Sequence, residues 1–339
     1  AVGYLALQAN TTGTQNVAVG AYAMDASQTS NYNVAIGYQA LTANTSGDEH
    51  VAVGNEALAT NTTGTQNTAL GYRTLKANNG SSNTAVGESA MVSNTTGNNN
   101  CAIGRDCLDA NTTGTGNVAL GVAALGANTT ANYNTAIGLD VLQNNTAADN
   151  TGVGRNVLNT NTTGTRNTAV GALAADASST ANDVTAIGYN ALGSNEDSGS
   201  NNTAVGSYAL SSNTTGSENT AMGKNALQQS TTGAYLTAIG SGAMAGVVTG
   251  TKNDAFGYNA GANITTGGSN TCLGTQTADS LTGGNYNVAI GVAALQAITN
   301  ASENTSVGYR SLYTNTANGN TAVGKDSLFA NTTGTLNTA

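Results

Sequence analysis

A single glycine returns about every 17 residues through all 339 residues of the chain. The step is 17, with occasional steps of 16 or 18, and each glycine closes a phrase such as Asn16-Val17-Ala18-Val19-Gly20. Self-similarity at a short fixed period indicates a stacked array, in which no repeat buries its apolar face alone. We therefore predict one continuous array over 1–339, as a segment of a longer chain. The glycines are Gly3, Gly20, Gly37, Gly54, Gly71, Gly87, Gly104, Gly121, Gly138, Gly154, Gly171, Gly188, Gly206, Gly223, Gly240, Gly257, Gly274, Gly291, Gly308 and Gly324.

The residue pattern within one repeat predicts β-structure. Counting from the Asn as position 1 places the glycine at position 5, with Thr or Val at position 2, a small residue at position 3 and a large apolar residue at position 4. That alternation predicts a strand. Ala at position 8 and Leu or Met at position 9 predict a second short strand over positions 7 to 10, with position 9 facing inward. The common Asn-Thr-Thr-Gly at positions 12 to 15 predicts a turn.

These elements predict an all-β fold, a parallel β-solenoid (β-roll) of about 20 coils of 17 residues. Stacked coils place equivalent residues about 4.8 Å apart, so the Asn residues at position 1 should form a hydrogen-bonded ladder that His50, Val184 and Leu236 interrupt. The full Asn-Thr-Thr-Gly-Thr starts at 10, 61, 111 and 161, every third coil, and a later copy at 331 falls outside that series. Duplication of a three-coil segment explains this spacing. A 51-residue turn with three sides is the alternative, and Val, Ala and Leu fill so wide an interior poorly.

The small residue at position 3 leads to a prediction about assembly. If the large side chain at position 4 fills the interior, position 3 faces outward, and an outer alanine stripe favours close packing against another surface. We predict lateral self-association, most simply a homotrimer.

We interpret the residues that could be catalytic or bind a metal as structural. The chain has one histidine, His50, which replaces a ladder Asn, and three cysteines, Cys101, Cys107 and Cys272, each in place of a small residue. A Cys101–Cys107 disulfide is a minor alternative. The acidic pairs Asp48-Glu49 and Glu196-Asp197 lack the repeat pattern of calcium β-rolls. The Asn-Thr-Thr triplets fit N-glycosylation acceptors as well as turns. We predict no catalytic, cofactor-binding or metal-binding residues and no enzyme.

Charge and hydropathy argue against two classes of partner, nucleic acids and membranes. The net charge is -9 and the nine Lys and Arg residues form no stripe, which argues against nucleic-acid binding. No apolar run approaches the roughly 20 residues of a membrane span, so we expect no membrane insertion by this segment.

The phrase Asn-Thr-Ala-Val-Gly-x-x-Ala-Leu resembles the head repeats of trimeric autotransporter adhesins, over Asn33–Gly37, Asn134–Gly138 and Asn287–Gly291. The added Asn-Thr-Thr-Gly turn is similar to arrays in phage tail-fibre-like and bacterial surface proteins. The resemblance implies a left-handed, homotrimeric, extracellular protein at a cell surface or on a virion, and it supplies no ligand.

We therefore expect a structural fibre or filament segment that forms a rigid rod, as in an adhesin or tail-fibre shaft. The alternative is a binding module whose outer surface recognises glycans of a host or cell surface, matrix or, as a weaker case, ice. The tyrosines at position 6 and the rows of threonine motivate that alternative.

Overall fold

The structure is a computed structural model that describes residues 1–194 and 199–339. It is all-β, a parallel β-solenoid, and the described residues contain 19 strands of three residues, each at positions 2 to 4 of the repeat. The chain divides into two compact units, residues 1–166 and 167–339.

The strands of each unit follow the glycine period. Unit one holds β1 (Val17–Val19), β2 (Val34–Ile36), β3 (Val51–Val53), β4 (Thr68–Leu70), β5 (Thr84–Val86), β6 (Cys101–Ile103), β7 (Val118–Leu120), β8 (Thr135–Ile137) and β9 (Thr151–Val153). Unit two holds β10 (Thr168–Val170), β11 (Thr185–Ile187), β12 (Thr203–Val205), β13 (Thr220–Met222), β14 (Thr237–Ile239), β15 (Asp254–Phe256), β16 (Thr271–Leu273), β17 (Val288–Ile290), β18 (Thr305–Val307) and β19 (Thr321–Val323).

Within each unit, every strand pairs in parallel and in register with the strand one coil away. Ala35 of β2 pairs with Ala52 of β3, and Ala221 of β13 pairs with Ala238 of β14. An isolated bridge pairs Val2 with Val19 at position 4, and another pairs Thr338 with Thr321 at position 2. One coil therefore contains one repeat, which confirms the predicted solenoid and excludes the 51-residue turn.

The predicted orientation of the strand is wrong. Ala35, at position 3, is fully buried, whereas Ile36, at position 4, exposes 40% of its surface. Position 3 points inward in every strand, from Ala18 in β1 to Ala322 in β19. The large residues inside the coil come instead from position 9, such as Leu41 and Leu58.

Space in the coil explains why position 3 is small. Gly152 replaces the alanine in β9, and a Cβ added there would lie 2.6 Å from Cγ1 of Val141 and 3.4 Å from Cγ1 of Val157. Both valines stand at position 8, which is alanine in most coils. Because the interior is close-packed, an increase in volume at position 8 requires a decrease at position 3.

The predicted second strand is also wrong, although position 9 does face inward. Gln39 and Leu41, at positions 7 and 9, have φ of +54° and +55° and lie in a turn. Ala40 and Leu41 are both fully buried, whereas neighbouring residues of a strand point to opposite faces. The backbone N–H of Leu41 donates to the carbonyl of Ala57 at 2.9 Å, so stacking supports this left-handed conformation, which costs about 1–2 kcal/mol.

The glycine at position 5 meets two requirements. At Gly71 the backbone has a φ of +139°, a region that L-residues rarely adopt. A Cβ there would lie 2.6 Å from the carbonyl oxygen of Gly87 in the next coil. Backbone conformation and coil spacing both exclude a side chain, which explains why this position is constant.

Candidate interaction surface

The predicted ladder of amides at position 1 is present in the interior. Asn100 Nδ2 donates to Oδ1 of Asn83 at 3.2 Å and to the carbonyl of Gly114 at 2.9 Å. Its own Oδ1 accepts from the backbone N–H of Asn117 at 2.9 Å. Each amide thus links one coil to the next while satisfying buried backbone groups.

A second column of amides, at position 12, follows the same principle. The Asn-Thr-Thr-Gly pattern predicted only a turn for these residues. Asn111 Nδ2 donates to Oδ1 of Asn94 at 2.7 Å and to the carbonyl of Gly114 at 3.1 Å. In unit two, three successive coils replace this amide by a buried aliphatic residue: Ile264, Leu281 and Ile298. The recurrence of Asn at position 12 was the available signal.

Burial decides between the two interpretations of the Asn-Thr-Thr triplets. The asparagine at the head of each triplet stands at position 12, and its side chain lies inside the coil. Asn10 and Asn331 are half-buried, and six triplet asparagines are fully buried: Asn61, Asn94, Asn111, Asn128, Asn161 and Asn213. The folded chain therefore does not present the buried amides for glycan attachment.

His50 continues the position 1 ladder instead of breaking it. Its Nδ1 accepts from the backbone N–H of Asn67 at 3.2 Å, and its Nε2 lies 2.7 Å from the carbonyl of Gly64. These contacts assign the neutral tautomer with the proton on Nε2. Burial lowers the pKa of His50 below its ordinary value of 6.5. The imidazole therefore acts as a substitute amide.

The three cysteines are free thiols, and the alternative Cys101–Cys107 disulfide is absent. Cys107 and Cys272 are buried, and burial raises the pKa of both thiols to about 12. Cys101 is half-buried at position 2 of β6. The two buried thiols are therefore small packing residues with little thiolate.

The acidic residues occupy surface positions and bond to neighbouring coils. Asp48 Oδ1 accepts from the backbone N–H of Asn31 at 2.6 Å. The carboxylate of Glu56 contacts Arg73 and Lys76, and their hydrogen bonds and charges lower the pKa of that carboxyl. No group of three or more His, Cys, Asp or Glu residues able to hold a metal ion occurs within residues 1–194 and 199–339. The pair Glu196-Asp197 lies outside the described residues.

The outer strand face is formed by the side chains at positions 2 and 4, and many of its apolar members are exposed. Leu70 exposes 47% and Leu120 exposes 44% of its surface. Strand pairing places these side chains in unbroken columns along each unit. Other exposed members are Val17, Val19, Ile36, Val51, Ile103 and Val118 in unit one, and Val170, Ile187, Met222, Phe256, Leu273 and Val323 in unit two.

Exposed tyrosines flank the outer strand face on both sides. At positions 6 and 7, Tyr4, Tyr22 and Tyr38 form an edge-to-face series over three coils, with ring centroids 5.5 and 6.0 Å apart. At position 17, before the strand, the exposed residues are Tyr32, Tyr133, Tyr235 and Tyr286. The combined surface is apolar and aromatic, which is typical of a binding face.

The threonine rows lie on the turn, away from the strand. Position 13 hydroxyls donate to the carbonyl of the same position one coil on, as Thr95 Oγ1 does to Thr112 at 2.9 Å and Thr112 Oγ1 to Thr129 at 3.0 Å. The hydroxyl hydrogens of these threonines are therefore directed along the stack.

No protein-family model and no curated protein matches the chain. Among the described residues, no helix has the length and apolar character needed to cross a membrane. The exposed surface is therefore the feature from which a function can be proposed.

Proposed function

We propose that the chain is a structural segment of an extracellular fibre, a shaft of the adhesin or tail-fibre kind, built as a left-handed homotrimer. The observation that carries the proposal is the outer strand face. An apolar column that continues from coil to coil is a contiguous exposed patch of the kind that marks an interaction surface. Lateral contact between copies would cover it.

The outer strand face, and not the alanine stripe, would form the contact between copies. The alanines at position 3 are buried within each coil and cannot contact a partner. Val, Ile, Leu and Thr at positions 2 and 4 are the residues that would meet another copy. Identical columns with a common rise allow two copies to pack in register over many coils, so small contacts add up.

Rigidity is the mechanical role in this proposal. The strand ladder and the two amide columns tie each coil to the next, and a chain of such contacts resists local opening. The shaft would hold another domain at a distance. It needs no reacting group, so we do not propose an enzyme.

Light scattering under native conditions tests the assembly. The chain mass is 33.3 kDa, and we expect a species of about three times that mass. Leu70→Asp combined with Leu120→Asp should give a monomer, because three buried carboxylates at each level would be costly. Thr63→Asp with Thr113→Asp, at exposed turn residues of unit one, is the matched control and should keep the large species. A monomeric wild type would refute the proposal.

A binding module is the second candidate function, and the flanking tyrosines favour it. Aromatic side chains with one exposed face supply contact area at small conformational cost. In this role the surface would recognise glycans or matrix on a host or cell surface. Immobilised chain exposed to a glycan panel tests this candidate; binding to no glycan would leave only the shaft.

A further inference from the structure

A notch of about 430 Å³ opens on the surface of unit two, beside the flanking tyrosine column. It spans the turn of three successive coils. Its lining is polar and small: Thr249, Gly250, Thr251, Lys252, Thr266, Gly268, Ser269, Asn285 and Tyr286. The notch exists because Gly268 and Ser269 occupy positions where other coils carry longer side chains, such as Asn285 and Tyr286 one coil on.

Several polar groups of this notch have spare hydrogen-bonding capacity. Within the described part of the chain, the hydroxyls of Thr251, Thr266 and Ser269 have no protein hydrogen-bond partner. Asn285 Oδ1 accepts from the backbone N–H of Gly268 at 2.8 Å, which fixes the amide at the edge of the notch. A bound molecule would therefore meet several hydroxyl and amide groups in one small space.

One cation and one aromatic ring form the walls. Lys252 is exposed, and no carboxylate lines the notch. Among the described residues Lys252 has no ion-pair partner, unlike Arg73 and Lys76, which both contact Glu56. Tyr286, which stands one coil after Ser269 at the same position of the repeat, exposes 66% of its surface. An exposed ammonium without an ion-pair partner is available to an anion.

We propose that this notch binds an acidic sugar, a pyranose that carries a carboxylate, within a polyuronate or similar glycan. The apolar C–H face of the ring would stack on Tyr286, whose π-face is electron-rich. The carboxylate would pair with Lys252, and the sugar hydroxyls would bond to the free hydroxyls and to Asn285. The volume suits one or two sugar units. This inference deepens the second candidate function and rests on it; it does not depend on the shaft.

Affinity electrophoresis of the full chain through gels that contain alginate, a polyuronate, or neutral dextran tests the notch. We expect retardation by alginate only, and weaker retardation at high salt. Lys252→Gln should weaken alginate binding by roughly tenfold, the loss expected for one contact to a charged group. Tyr286→Ala should also weaken it, because the stacking contact is lost. Circular dichroism should show that both variants keep the fold.

Matched controls are available in the same repeat. Lys224 is an exposed lysine of unit two outside the notch, and Tyr313 is a half-buried tyrosine of unit two outside both the notch and the flanking tyrosines. Lys224→Gln and Tyr313→Ala should bind like the wild type. Equal retardation in dextran, or an unaffected Lys252→Gln, would overturn the acidic-sugar assignment. Alginate binding that survives both notch substitutions would leave a binding module but refute this site, and none of these outcomes alters the oligomer mass.

Discussion

The amide ladder at position 1 predicts a specific cost for removing one asparagine. Asn100→Ala deletes hydrogen bonds to Asn83, Gly114 and Asn117. The carbonyl of Gly114 keeps a second donor, the side chain of Asn111 at 3.1 Å, so the backbone N–H of Asn117 is the buried group left unpaired. An orphaned group costs about 1–3 kcal/mol and each lost bond about 0.5–1.5 kcal/mol. We expect a loss of roughly 3 to 6 kcal/mol in the free energy of unfolding.

Histidine provides a sharper form of the same test. His50 already replaces an amide in this column, with Nδ1 as acceptor and Nε2 facing a carbonyl. Asn100→His should therefore recover more than half of the stability that Asn100→Ala loses, at a pH where imidazole is neutral.

Urea unfolding measures the free energy, and hydrogen exchange at the amide of Asn117 reports the local opening. Thr113→Ala, at an exposed turn residue, is the control and should change stability by less than about 0.5 kcal/mol. If Asn100→His were as unstable as Asn100→Ala, or if Asn117 kept its protection without the amide, the ladder would not be the source of the stability.

Three further perturbations test other features of the coil. Burial lowers the pKa of His50, so protonation favours the unfolded chain, and stability should fall as pH drops below about 6.5. The urea midpoint of the wild type should therefore decrease with falling pH in this range, and the midpoint of His50→Asn should not show this decrease. Ala119→Val should cost about 1–3 kcal/mol by overpacking, whereas Val118→Thr on the exposed face should cost less than 1; the reverse order in denaturant unfolding would mean that the strand is inverted. Gly71→Ala should lower stability by at least about 1–3 kcal/mol, while Gly126→Ala, whose methyl meets no atom closer than 3.4 Å, should be neutral in thermal melts.

The period of the sequence predicted the solenoid, but the hydrophobic pattern alone did not predict which strand face is buried. Alternation at positions 2 to 4 is compatible with either orientation. Large aliphatic side chains such as Ile36 suggested the interior by their hydropathy, yet the interior beside the strand has room only for Ala35. The missing information was volume: Leu41 fills the coil from the opposite side, and Gly152 opposite Val141 shows the compensation in the sequence itself.

Backbone conformation was the second feature that could not be predicted from the sequence. Leucine rarely adopts positive φ, so no propensity predicts Leu41 at +55°; only stacking against the next coil stabilises it. The ladder at position 1 was predictable because asparagine recurs there and amides can bond in series. The notch around Lys252 was not, because it depends on a missing side chain at Gly268 and a short one at Ser269, in two adjacent columns.

The constant glycine also has an evolutionary consequence. The carbonyl of Gly87 packs against Gly71, and the carbonyl of Gly104 packs against Gly87 in the same way. At this glycine, the upper surface of one coil therefore fits the lower surface of another. Duplication or loss of one whole repeat creates no contact that was not already present, and it changes the length of a unit by about 4.8 Å. Tandem genetic copying can therefore adjust reach in small steps at little risk to folding, which is a property that few globular domains share.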